Sequence, residues 1–294
     1  MTSLLNPPDL AAIGEHVDSV RRAIAGALDR RIGGPDARAR WDAMLAAPGE
    51  RLIAEDSPVR IVHGDIAMLV GGLRAILLQS LHPRAMAGVA QHSNYRTDPW
   101  GRLQRTADFL GAVTFAPTEQ AMQSIDIVRT VHLRVVGTTS KGEPYSASEP
   151  HLLRWVHVAE IDSFLAAHRV YGATKLTAEE EDRYVADVAV VAELLGADRV
   201  PRSVEELRAA LREFGPELRS SKEAREAARY LAVPPGLSAP ERVGYGPIFT
   251  GAASLLPVRS RLMLRLPVFP VTERLVVRPV TSAALSLGRW SRPR

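Results

Sequence analysis

Apolar residues recur at helical spacing along almost the whole chain, and the polar positions between them punctuate it into helices. Leu10 to Leu28 carries such a stripe, and Gly33-Gly34-Pro35 closes it with a turn. Pro35 to Ala46 reads as a second short helix ended by Pro48-Gly49. Asp65 is placed to cap an apolar helix over Ile66 to Leu81, which His82-Pro83 stops or kinks, with a further helical turn over Arg84 to Gln91. Asp98-Pro99 opens a helix through Leu110, and Pro117 to Val136 is another. Lys141-Gly142 marks a tight turn between two short extended pieces, and Glu149 to Tyr171 returns to the helical pattern. Thr177 with Glu180, and Ser203 with Glu206, have capping-box spacing before helices over Ala178 to Leu195 and Leu207 to Phe214, the first closed by Gly196.

Pro234-Pro235-Gly236 is the clearest boundary. Beyond it the chain is rich in Pro and Arg with only two acids, Glu241 and Glu273, and only short helical pieces are expected, around Ile248 to Leu256 and Ser260 to Leu266. The expected organisation is N-terminal helices over 1–59, a helical domain over 60–235 and a basic extension over 236–294 packed on it.

Composition narrows the chemistry. At 46% hydrophobic and 24% charged residues the chain has the balance of a folded globular protein. It has no cysteine, which removes disulfides, thiolate-held zinc, iron–sulfur clusters and a cysteine nucleophile together. The stretch Ile66 to Leu81 is interrupted by Arg74 and Gln79 and is short for a bilayer span, so it reads as a buried helix. The first ten residues lack the pattern of a secretory signal, which leads to the expectation of a cytoplasmic protein. Net charge is only +4, and the many Arg residues are interleaved with acids, as a GC-rich genome produces. No motif supports nucleic-acid binding. The Arg-rich tail, in which Arg alternates with Leu, Val and Phe, suits a peripheral contact with anionic lipid.

Dinucleotide fingerprints, phosphate loops, nucleophile elbows and His-Glu-x-x-His helices are missing. The residue three before each histidine is never Glu or Asp, which argues against a di-iron bundle. His63-Gly64-Asp65 has the spacing of a non-haem iron triad but leads into a helix, where a capping Asp explains it better. His16 and His151 read as surface or capping residues, while His82, His92, His132, His157 and His168 sit in or beside apolar segments. Each is either a satisfied core histidine or a ligand. His132, on an otherwise apolar helix face, has the character of an axial haem ligand, which needs no second protein ligand. Arg102 and Thr106, four apart, share a helix face and either lie at the surface or address a cavity together.

Five segments in order carry a family resemblance: Leu77-Leu78-Gln79-Ser80-Leu81-His82-Pro83, Gly88-Val89-Ala90-Gln91-His92-Ser93, Gly101-Arg102-Leu103-Gln104-Arg105-Thr106, Val131-His132-Leu133-Arg134-Val135-Val136-Gly137 and Trp155-Val156-His157. Over residues 60 to 235 the chain resembles the MpaB-type oxygenases, which include the latex-clearing rubber oxygenases. The resemblance implies an all-α, multi-helix single domain with a globin-like core around a cofactor pocket. It also implies haem b and cleavage of carbon–carbon double bonds with dioxygen. His132 matches the proximal histidine, Arg102 and Thr106 match a pair near the haem that supports activity, and His82 and His157 match further family histidines. Latex-clearing members carry Lys just before the Thr; here it is Arg105, a poor metal ligand. That departure implies a distal side that is open or water-filled, with Arg105 or Arg102 donating hydrogen bonds, and a substrate other than polyisoprene. The expectation is a haem b-dependent oxygenase that acts with O2 on an apolar small molecule, its electron donor unassigned. The alternatives are a helical haem or apolar-ligand binding protein without turnover and a non-haem metal held by several histidines.

Overall fold

The computed structural model describes residues 36–93 and 97–292, with a few isolated positions before them. Most of the helix expected over Leu10 to Leu28, with His16 and most of the Gly33-Gly34-Pro35 turn, falls outside the described residues. The elements are α1 (Ala37–Ala46), α2 (Pro58–Gly64), α3 (Met68–Gln79), α4 (Pro83–His92), α5 (Pro99–Phe115), α6 (Thr118–His132), β1 (Val136–Thr138), β2 (Pro144–Ser146), α7 (Pro150–Tyr171), α8 (Ala178–Leu195), α9 (Val204–Phe214), α10 (Lys222–Ala232), α11 (Ala239–Ser254), α12 (Val258–Leu264) and α13 (Arg278–Ser291). The all-α expectation holds. Among the described residues the only sheet is the antiparallel β1–β2 pair, in the register Thr138↔Pro144.

Several helix ends follow from the local chemistry of the sequence. Asp98 accepts from the Gly101 N–H with Pro99 in the first turn. Thr177 and Glu180 form a reciprocal capping box, and Gly196 ends α8 with φ of 104°. Asp65 departs from expectation. The apolar helix starts at Met68, and Asp65 instead closes the elbow before it. One of its oxygens accepts from Ala67 N at 2.7 Å, the other from Ala173 N at 2.9 Å, and Arg289 pairs with it at 2.6 Å.

Helix α7 is the centre of the fold. Fourteen of its 22 residues are buried, on every side, which is the pattern of a helix enclosed by others rather than an amphipathic surface helix. Trp155 and Ala159 face one core with Leu77, Leu81 and Phe214, which Phe249, Leu264 and Leu285 of the C-terminal helices complete. Val158, Ile161 and Leu165 face a second core with Val62, Ile125, Tyr184 and Leu207. Helices α3 and α7 approach closely at Gly71, where a Cβ would lie 2.9 Å from the Phe164 ring and 3.1 Å from its Cα. Beside it the buried Arg74 is held by Asp162 at 2.8 Å, Ser163 Oγ at 2.6 Å and the Leu255 carbonyl at 3.0 Å.

The segment after Pro235 is more helical than its composition suggests. Ser238 and Glu241 form a capping box, and α11 runs on through Pro247, whose carbonyl accepts from Thr281 Oγ1 at 2.8 Å. Among the described residues no single helix is long and apolar enough to cross a membrane. The bent pair α2–α3 has the composition for it, but Val59, Val62, Val70 and Leu77 of that pair are buried inside the protein.

Candidate active site

Helices α2, α5, α6, α7 and α8 enclose a cavity of about 70 Å³ whose wall is mainly Val, Leu, Ile and Phe. Five polar side chains face it: His63, Thr114, His132, His157 and Glu160. The backbone explains how they meet. His132 is the last residue of α6, and α6 follows α5 after the two-residue link Ala116-Pro117, so the two helices pack as neighbours. His157 and Glu160 lie one turn apart on the central helix, and His63, in the last turn of α2, stands opposite Thr114 of α5.

Desolvation governs the charge of this group. Burial lowers the pKa of His63 to about 3 and that of His157 to about 4, and it lowers that of His132 as well. All three imidazoles are therefore neutral at pH 7. Burial raises the Glu160 carboxyl to about 7, so it shares its proton with solvent near neutrality. His63 and Glu160 keep part of their surface open despite this depth, because that surface belongs to the cavity wall.

The imidazoles differ in their partners. His63 uses both ring nitrogens, Nδ1 with Thr114 Oγ1 at 2.9 Å and Nε2 with the Tyr184 hydroxyl at 3.3 Å. His132 Nδ1 and His157 Nε2 are buried with no hydrogen-bond partner. A native interior rarely leaves such atoms unsatisfied without a ligand or water to take them up. Among the described residues no group of three or more His, Asp or Glu is placed to hold a metal ion, so a non-haem metal shared by several histidines has no ligand set there.

Of the residues singled out from sequence, the structure brings His132 and His157 together at this cavity. Arg102 and Thr106 do not line it. Thr106 is exposed and donates to the Arg102 carbonyl at 3.1 Å. Both nevertheless sit on the α5 face that continues, at helical spacing, into the cavity-lining Phe109, Leu110 and Val113. Arg105 is exposed and lies 3.5 Å from Asp98. His82 is elsewhere, its Nε2 3.1 Å from Glu217 and its ring beside Trp155 and Phe214. His151 takes the other oxygen of Glu217 at 2.9 Å, so these two histidines anchor the turn after α9. His92 is exposed, with Nε2 3.1 Å from the Val136 carbonyl. Glu160 carries no Glu-x-x-His signature: with His157 the order is His-x-x-Glu, and the face-sharing rule runs in both directions.

The family described as "ER-bound oxygenase mpaB/B'/Rubber oxygenase, catalytic domain" matches residues 60–289. The chain belongs to this family. No curated protein and no solved structure matches it, which leaves the expected globin-like arrangement of the core without support. The mpaB/rubber oxygenase match begins near the expected residue 60 but does not stop at 235. It runs on through α11 to α13, the helices whose Phe249, Leu264 and Leu285 complete the core around α7. Apart from Ile53 and Val59, which precede it, every residue that lines the cavity lies within the matched span.

Proposed function

We propose that the chain is a haem b-dependent oxygenase that acts with O2 on an apolar small molecule, with oxidative C=C cleavage as its reaction. The observation that carries this reading is His132: a neutral imidazole in an apolar cavity, its buried Nδ1 without a partner, within an oxygenase domain. A neutral imidazole with no competing hydrogen bond is the form that ligates iron. The donor chemistry therefore fits haem. Space does not fit as it stands. Pockets for drug-sized ligands run to roughly 300–1,000 Å³, far above the 70 Å³ present, so the cavity must widen to seat the group.

Haem iron, when bound, supplies the oxygen chemistry; the protein supplies ligation, burial and proton control. The apolar wall from α5 and α8 excludes water and accepts an apolar substrate. Glu160, titrating near neutrality, holds or releases a proton inside the cavity, and His157 offers a neutral acceptor one turn away. Arg102 and Thr106 place a guanidinium and a hydroxyl on the α5 face leading into the cavity, where they orient a polar group of an entering ligand.

The test is the absorption spectrum of protein from haem-replete cells, beside His132→Ala, followed by oxygen uptake with reductant and an alkene. A Soret band that His132→Ala abolishes or shifts is the expected result. No Soret band after reconstitution overturns the reading. A band without oxygen uptake makes the protein a haem binder without turnover.

A further inference from the structure

We propose that the surface running from α12 through the loop and helical turns that follow, onto the outer face of α13, docks the protein on an anionic bilayer. The proposal does not depend on the haem reading. Large apolar side chains are exposed along this one stretch: Leu262, Phe269, Val271, Leu275, Val280 and Leu287, each at 47% or more of its full surface. Helix α13 shows the arrangement most clearly. Thr281, Leu285 and Gly288 are buried, with Thr281 against Pro247 and Gly251 of α11. Val280 and Leu287, seven residues apart, form a stripe along the flank of that buried face and are exposed.

The charges along the same stretch have one sign. Arg259, Arg265, Arg274 and Arg278 are exposed, and of these Arg278 also acts on the carboxylate of Glu273. The single acid, Glu273, is turned inward, where it pairs with Arg261 and accepts from the Phe269 N–H. Exposed Leu, Val and Phe among exposed Arg is the composition of an interfacial surface, in which apolar groups enter the acyl boundary and guanidiniums meet anionic headgroups. A second copy of the chain is a poor occupant, because a two-fold contact would set these four guanidiniums against their own copies.

Co-sedimentation of the full chain with vesicles tests this, using phosphatidylcholine alone and phosphatidylcholine mixed with phosphatidylglycerol. Binding is expected only to the mixed vesicles and falls as salt is raised. Arg274→Gln with Arg278→Gln lowers the partition coefficient by about 30-fold, and Phe269→Ser with Leu275→Ser by at least about tenfold. Both double variants replace exposed side chains, and unchanged far-ultraviolet circular dichroism and melting temperature verify their folds. Absence of binding to the mixed vesicles overturns the proposal, as does equal binding to both vesicle types or by both double variants. A concentration-dependent dimer that Leu275→Ser dissociates, without vesicle binding, overturns it in favour of a second copy.

Discussion

His157 and Glu160 stand three residues apart on α7, and both side chains line the same cavity. Burial acts on them in opposite directions, pressing the imidazole to about 4 and lifting the carboxyl to about 7. Each is thereby held uncharged over a range in which the unfolded chain would ionise it.

That coupling fixes the sign of a pH effect at Glu160. Below pH 4.5 the carboxyl is protonated in both states. As pH rises from there to about 7, the unfolded chain loses the proton and the folded chain keeps it, so stability falls by up to about 3 kcal/mol. Glu160→Gln removes this penalty. Its melting temperature should exceed that of the wild type at pH 8 and match it at pH 4; a variant no more stable at pH 8 contradicts the assignment.

On the acid side the imidazole dominates. Below the ordinary histidine pKa of 6.5 the unfolded chain binds a proton that folded His157 refuses until about pH 4, and stability drains across that window. His157→Leu also deletes a buried nitrogen without a partner, so it should gain about 2 kcal/mol at pH 5 and less at pH 8. Urea unfolding at both pH values measures the difference.

Gly71 and Gly72 are neighbours on α3 with opposite surroundings. An added methyl at Gly71 meets the Phe164 backbone and the Ser163 carbonyl, which cannot yield; at Gly72 it meets nothing within 4 Å. Gly72→Ala should stabilise by about 1 kcal/mol through helix propensity. Gly71→Ala should lose that gain and destabilise by about 1–3 kcal/mol through overpacking. Equal melting temperatures for the two variants would show that α3 and α7 are not in rigid contact.

Arg289 compensates Asp65, whose side chain is only 9% exposed. Arg289→Met leaves that carboxylate buried without its cation and should cost about 3 kcal/mol. Adding Asp65→Asn should recover much of the loss, since an amide needs no counter-ion. Chemical denaturation of the two variants tests both steps.

Much of this was legible in the sequence because it is local. Asp98-Pro99, the Thr177–Glu180 box, Gly196 and His82-Pro83 act within one turn, and each marks a boundary in the structure. Helices α10 and α13 were not legible. In α13 the buried positions are Thr281, Leu285, Gly288 and Ser291, so the apolar stripe that marks a core-facing helix is replaced by small and polar residues. The convergence of His132 with His157 was out of reach for another reason. Periodicity places each on a helix face but says nothing of which faces meet, and that depends on α6 packing beside α5 and α8. His63 illustrates the same limit: its neighbour Asp65 turns to Arg289 while the imidazole turns to Thr114.

The Arg289–Asp65 pair carries one more implication. The family match starts at residue 60 and ends at 289, and these two ends are within reach of a single ion pair. For the matched segment, sequence order is then close to a ring. Joining its ends by a short linker and opening the exposed turn at Lys141-Gly142 would yield a circular permutant of the matched helices that keeps the cavity wall except for Ile53 and Val59.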